Sequence, residues 1–152
     1  DIECSWLLHE AAGILGKEEL VKETARLAVK MARENLEGLD DDGGLFYEYF
    51  PETGNMDTDK HWWPQAEAML GYFNAWQESG QLIFLEKALG SWEFIKAFLV
   101  DKRMGEWYWS VNRERSPQTG KEKAGFWKCP YHNGRSCLEL IRRINEIESK
   151  LD

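Results

Sequence analysis

Cysteine is scarce in this sequence: three residues, an odd number, in 152. That argues against a disulfide framework and suits a reducing compartment, so a cytoplasmic location is expected. Positive charge is also in short supply. Nineteen Lys and Arg stand against 27 Asp and Glu, a formal net charge of −8, which argues against nucleic acid and anionic membrane as partners. No apolar run is long enough to span a bilayer, and no secretory signal opens the sequence as given. A glycine-rich phosphate loop, a nucleophile elbow and a dinucleotide fingerprint are all missing. Cys129, His132 and Cys137 match no common zinc spacing, so no metal or cofactor is expected.

What the sequence does have is tryptophan, eight residues of it. Tryptophan is costly to bury because its indole N–H wants a partner. Trp6, Trp76 and Trp92 fall within helical patterns and read as core. Trp62-Trp63, Trp107 with Trp109, and Trp127 near His132 fall outside or at the edge of such patterns. Flat aromatic faces of this kind stack on sugar rings and other ring-shaped ligands.

Helical periodicity dominates the organisation. Helices are predicted over about Ile2–Leu15, stopping at Gly16, and over Lys17 to about Leu36, where Leu20, Thr24, Leu27, Ala28 and Met31 share one face. Further helices are predicted over about His61–Ser79, ending at Gly80, over Leu82 to about Leu99, and from near Asn133 almost to Leu151. Two long connections, Gly38–Asp59 and Asp101–Tyr131, interrupt the rhythm; their aromatic content argues for order, and loops of this length are usually functional. Short strands are expected near Leu45–Tyr49 and Glu106–Val111. Long loop, helix, tight turn and second helix thus recur about every 60 residues. Repeated helix hairpins with their long loops on one side point to an all-α toroid, an α/α barrel, whose ligand face is the rim that carries the loops. Five helices do not close such a ring, so the chain is expected to be about half a barrel.

The segment Trp127-Lys128-Cys129-Pro130-Tyr131-His132-Asn133-Gly134-Arg135 sets one histidine among aromatics at the mouth of the last helix. Histidine both takes and returns a proton near neutral pH, so His132 is either a proton-transfer group or a residue that holds the loop in place. Together with Trp62-Trp63-Pro64-Gln65-Ala66-Glu67-Ala68, this segment resembles the N-acylglucosamine 2-epimerase superfamily, and within it the cellobiose 2-epimerases. The resemblance runs over nearly the whole chain. It implies an (α/α)6 barrel, of which residues 1–152 would be the C-terminal portion of one catalytic domain, with the N-terminal half elsewhere. It also implies inversion at C2 of an aldose, or of the reducing-end sugar of a disaccharide such as cellobiose, through a cis-enediol intermediate.

Under the resemblance, His132 is one of two catalytic histidines. The other would immediately precede Asp1-Ile2-Glu3, and Glu3 would orient it from one helical turn away. Trp62 and Trp127 are implied to stack on the sugar, and Glu48 to hydrogen-bond the distal sugar of a disaccharide. A ring-opening histidine and an enediolate-steadying arginine are implied in the other half. A half-barrel would be inactive alone and would associate with itself or with the missing half. The residues leave two rivals open: an α/α-barrel glycoside hydrolase using Glu48, Glu67 or Glu106, and a non-catalytic carbohydrate-binding protein. Glu67, inside a helix among apolar residues, reads better as a residue that orients a neighbour. His9 reads as structural and His61 as a bystander beside the tryptophan pair.

Overall fold

A computed structural model describes residues 1–151. Five helices make up most of it: α1 (Ile2–Leu15), α2 (Glu18–Asn35), α3 (Trp62–Ser79), α4 (Leu82–Phe94) and α5 (Tyr131–Glu148). Both short hairpin turns follow from glycine. Gly16 and Gly80 adopt φ of 64° and 69°, and their N–H groups bond back to Gly13 O and Trp76 O, closing α1 and α3. In α2, Thr24, Ala28 and Ala32 recur every fourth residue and form the buried face.

Helix α3 is the centre of the molecule and packs against the other four helices. It is buried from Pro64 to Ala75 without a break, and that run includes Gln65, Glu67 and Asn74. A helix buried all round with polar residues inside it is an inner helix whose polar groups must find partners. Pro64 sits in the first turn, where its missing N–H takes no helical bond from the structure. Gly71 lets α1 approach closely, since a Cβ there would lie 2.6 Å from Ile2 Cγ1. One apolar cluster (Ile2, Ala32, Tyr72, Phe84, Ala88) joins α1, α2, α3 and α4. A second (Trp62, Met69, Phe94, Leu99, Trp107, Val111) continues from α3 and α4 into the loops.

The helix expected over Leu82–Leu99 is α-helical only to Phe94; Ile95–Leu99 widens into a π turn, with Val100 N–H bonding to Ile95 O. The chain then leaves toward the rim, and Tyr108 N–H returns to Leu99 O. The last helix starts at Tyr131 rather than Asn133, so His132 lies within its first turn. The strands are shorter and more numerous than expected. In the first long loop, β1 (Glu48–Phe50) pairs antiparallel with β2 (Asn55–Asp57). Then β3 (Lys60–His61) pairs with β4 (Ser110–Val111) from the second long loop. This second pair laces the two loops together, and Trp62 N–H donates to Trp109 O beside it at 3.0 Å.

A buried charge cluster reinforces the lacing. Lys60 is fully buried and donates to Asp40 (2.7 Å) and Asp42 (2.8 Å), and Arg115 of the second loop also reaches Asp42 (2.8 Å). At the opposite end of α5, buried Arg143 bonds Glu10, Asn74, Gln77 and Glu139, tying α5 to α1 and α3. Beyond these ties α5 shows an apolar stripe to solvent, with Leu138, Ile141 and Ile144 exposed. The stripe borders a groove of about 300 Å³ walled by Met69, Leu85, Trp92 and Cys137. No helix among the described residues is long and apolar enough to cross a membrane.

Candidate active site

The N-terminal ends of α3 and α5 and the first turn of α1 converge beneath the two laced loops. They enclose a cavity of about 400 Å³ lined by Glu3, Tyr47, His61, Trp62, Trp63, Trp109, Trp127 and His132. At its floor, His132 Nδ1 lies 2.7 Å from Glu67 Oε1 and 3.7 Å from Glu3 Oε1. A carboxylate only accepts, so Nδ1 carries the proton and donates, which leaves Nε2 as the basic nitrogen. Nε2 has no partner among the described residues. Trp63 and Tyr131 pack around the imidazole, with ring centroids 5.5 and 4.9 Å away.

Glu67 is completely buried, a costly place for a carboxylate unless donors surround it. Three do: Trp6 Nε1 (2.9 Å), His132 Nδ1 (2.7 Å) and an Arg135 NH2 group (2.6 Å). The same Arg135 group reaches Glu3 Oε1 at 2.9 Å. Arg135 is itself clasped between the rings of Trp6 and Tyr131, 4.8 and 4.3 Å from their centroids. Glu3, Glu67 and His132 are also near enough together to hold a metal ion. The guanidinium already supplies the cation between the two carboxylates, so the donor set does not suit a second one. Cys129 is exposed and Cys137 lines the apolar groove, which separates both from this cluster.

The tryptophans named from the sequence differ in their setting. Trp127 is 77 % exposed on the lip of the cavity, open to stack on a ligand. Trp62 is only 4 % exposed, with Trp109 packed at 4.7 Å and the Lys128 ammonium 5.3 Å from its ring centre. Little of its face is free, and Trp63 offers more to the cavity. Glu48 does not line this cavity; it lines an adjoining cleft that shares Glu3, Tyr47 and Trp63 with it.

Two participants, Arg135 and Tyr47, were not assigned a role from the sequence. Arg135 is three residues after His132 on one helix, a spacing that places both on one face and that was available to find it. Tyr47 carries no local signal, while Trp63 and Trp109, marked in the sequence as aromatic faces suited to a sugar ring, both line the cavity. His61, read as a bystander, stacks on Tyr47 with centroids 3.9 Å apart and lines the cavity. Burial lowers its pKa, so the ring is neutral at neutral pH. Trp6, read as core, is buried but also holds Glu67.

Residues 1–135 match the model of the N-acylglucosamine 2-epimerase (GlcNAc 2-epimerase) family. The chain belongs to that family. It is 49 % identical over 141 residues to a cellobiose 2-epimerase of Bacteroides fragilis, covering 93 % of this chain and 36 % of that protein. It is 44 % identical over 148 residues to a cellobiose 2-epimerase of Ruminococcus albus, covering 97 % and 38 %. Among solved structures, a sugar epimerase from a ruminal bacterium superposes with a TM-score of 0.88 at 43 % identity, covering 93 % of this chain and 36 % of that one. The family fold is the (α/α)6 barrel, and the helix hairpins of this member are part of one. The chain therefore spans little more than a third of the length of the relatives it matches.

Proposed function

We propose that this chain is the C-terminal portion of an (α/α)6-barrel sugar 2-epimerase and supplies one proton-transfer face of its active site. The substrate is an aldose, or the reducing-end sugar of a β-linked disaccharide such as cellobiose. In the open-chain form, the C2 proton is acidic because it lies α to the aldehyde. His132 Nε2 moves that proton, while Glu67 fixes the tautomer and supports the imidazolium that forms. A group from outside these residues serves the opposite face of the cis-enediol. Trp127 and Trp62 wall the sugar, and Glu48 in the adjoining cleft serves a second sugar ring. The apolar groove beside α5 receives the rest of the barrel. The free cysteines accord with a reducing cytoplasm.

The observation that carries this reading is the unpaired Nε2 of a histidine whose Nδ1 is pinned by a buried carboxylate, inside an aromatic cavity. The hydrolase alternative is disfavoured by two of its three candidate carboxylates, Glu106 and Glu67. A glycosidase acid needs a raised pKa. Burial pushes Glu106 up, but the Trp107 N–H, Lys128 and Asn133 together bring it below the usual value. Both oxygens of Glu67 are engaged by donors.

The test is deuterium incorporation at sugar C2 in heavy water, catalysed by the full-length polypeptide that carries this sequence. Exchange with conversion of a glucose-ended to a mannose-ended disaccharide is expected. Glycosidic cleavage without C2 exchange would replace this reading with the hydrolase.

A further inference from the structure

Two non-glycine residues among those described have positive φ, and one of them is Glu106 at 61°. It follows Gly105 at φ 76°, in a turn where Gly105 N–H bonds Asp101 O and Asp101 N–H bonds Glu106 O. Glycine would occupy such a position without strain, so a side chain there is retained against a backbone preference. The side chain has three partners, all on one oxygen. Glu106 Oε1 accepts from the Trp107 N–H (3.0 Å), from Asn133 Nδ2 (2.8 Å) and from Lys128 Nζ (3.3 Å).

The two distant partners are informative. Lys128 directly follows Trp127, and Asn133 directly follows His132. Lys128 is 1 % exposed, and its ammonium also donates to the carbonyls of Trp107 (2.9 Å) and Lys123 (2.9 Å). Its ammonium is therefore locked under the loop, over the ring of Trp62. Asn133 is buried in the first turn of α5, a helix whose N-cap, Pro130, makes no side-chain capping bond. The start of α5 is held instead by Asn133 reaching across to Glu106, an anion near the positive end of the helix. One strained residue thus anchors both the loop that presents Trp127 and the turn that presents His132.

We propose that Glu106 is a positioning residue of the sugar site, whose carboxylate sets the direction of the His132 imidazole and of the Trp127 indole. The inference rests on the epimerase reading for its kinetic consequence, and on geometry alone for its structural one. Small misplacements of a proton-transfer group are costly to turnover.

The test uses the full-length polypeptide. Glu106→Gly removes the side chain and relieves the backbone; combined with Lys128→Met it leaves no buried charge unpaired. This double variant leaves the Asn133 amide and the carbonyls of Trp107 and Lys123 short of a partner, so it is expected to keep the helix content of the parent and to lose a few degrees of thermal midpoint while staying folded at the assay temperature. Its kcat for C2 exchange is expected to fall roughly 10- to 100-fold, with a smaller change in KM. Glu106→Gln, which keeps an acceptor oxygen for Asn133, should recover most of the turnover, and Asn133→Ala should reproduce the loss. Parent-like turnover in the double variant overturns the proposal. So does a loss that comes with unfolding at the assay temperature, or a Gln variant as poor as the Gly one. The NMR signals of the His132 ring, assigned through His132→Asn, give a readout that needs no activity. They are expected to shift or broaden in the double variant, and unchanged signals overturn the proposal. Absence of C2 exchange in the parent would count against the epimerase reading alone.

Discussion

Replacing Glu67 by Gln tests the centre of the site with almost no change in shape. The carboxylate takes Trp6 on Oε2, and both His132 and Arg135 on Oε1. Glutamine has one acceptor oxygen, and its amide nitrogen must stand where the other oxygen was. If the oxygen stays toward His132 and Arg135, the amide N–H groups face the indole N–H of Trp6, donor against donor. The reverse placement opposes two donors and costs more. Leaving one buried donor unpaired costs about 1–3 kcal/mol. The surviving bonds to Arg135 and His132 also weaken from charge-assisted to ordinary strength, about 1 kcal/mol each. Arg135 retains Glu3 at 2.9 Å, which limits the damage. A loss of about 3 kcal/mol would lower the thermal midpoint of the full-length barrel by roughly 3–5 °C. Turnover should fall further than stability, because the tautomer and direction of His132 are no longer enforced; a loss on the order of 10²–10⁴-fold in C2 exchange is expected. Calorimetry and deuterium exchange at C2 measure the two effects on one sample. A Gln variant with the parent's midpoint and exchange rate would refute the assignment of Glu67 as the partner of His132.

His132→Asn in the full-length polypeptide should cut C2 exchange by about 10²–10⁴-fold or more while sugar binding persists; near-parental turnover would remove His132 from the mechanism, and an unfolded variant would make it structural. Trp127→Ala, at an exposed lip position, should raise KM with little change in thermal midpoint, as read from initial rates and a melting curve. Glu139 is held at about 2, below its ordinary 4.5, by Arg142 first and Arg143 as well, with burial opposing. A depressed carboxylate stabilises the fold fully above 4.5 and loses that contribution as pH falls toward 2, so the stability difference between the parent and Glu139→Gln should vanish across that window in acid titration. The 152-residue chain assayed alone should form no mannose-ended product from cellobiose; robust product would mean that the chain supplies a second base, or that two copies assemble a working site.

Much of the helical frame was legible because its causes are local. Apolar spacing, Gly16 and Gly80 gave the bounds of α1 and α3 almost to the residue, and the excess of aromatics in the two long connections marked the rim. The segments Trp62–Ala68 and Trp127–Arg135 carry the family resemblance by themselves. The bounds that failed have short-range patterns that continue past the real break. Leu82–Leu99 reads as one helix because its apolar period does not change at Phe94, after which the turn widens. Of the strands, β1 overlaps Leu45–Tyr49 and β4 lies within Glu106–Val111, as expected, while β2 and β3 were missed; β3 is defined by pairing with a segment some fifty residues away and has no pattern of its own.

The site belongs to both levels. Residue type and position singled out His132, and the helical i,i+3 spacing was enough to connect it with Arg135. Only packing decided that Glu67, 65 residues away on another helix, meets Nδ1, and that Trp6 is tied to the same carboxylate. Only packing decided that Trp62 is walled in while Trp127 is open, and that Lys128 is buried rather than solvated. Periodicity and end signals report what a chain does with its own neighbours within a turn or two. Which charges are stripped of water, and which donors then surround them, depends on how α1, α3 and α5 cross, and no local pattern encodes that crossing.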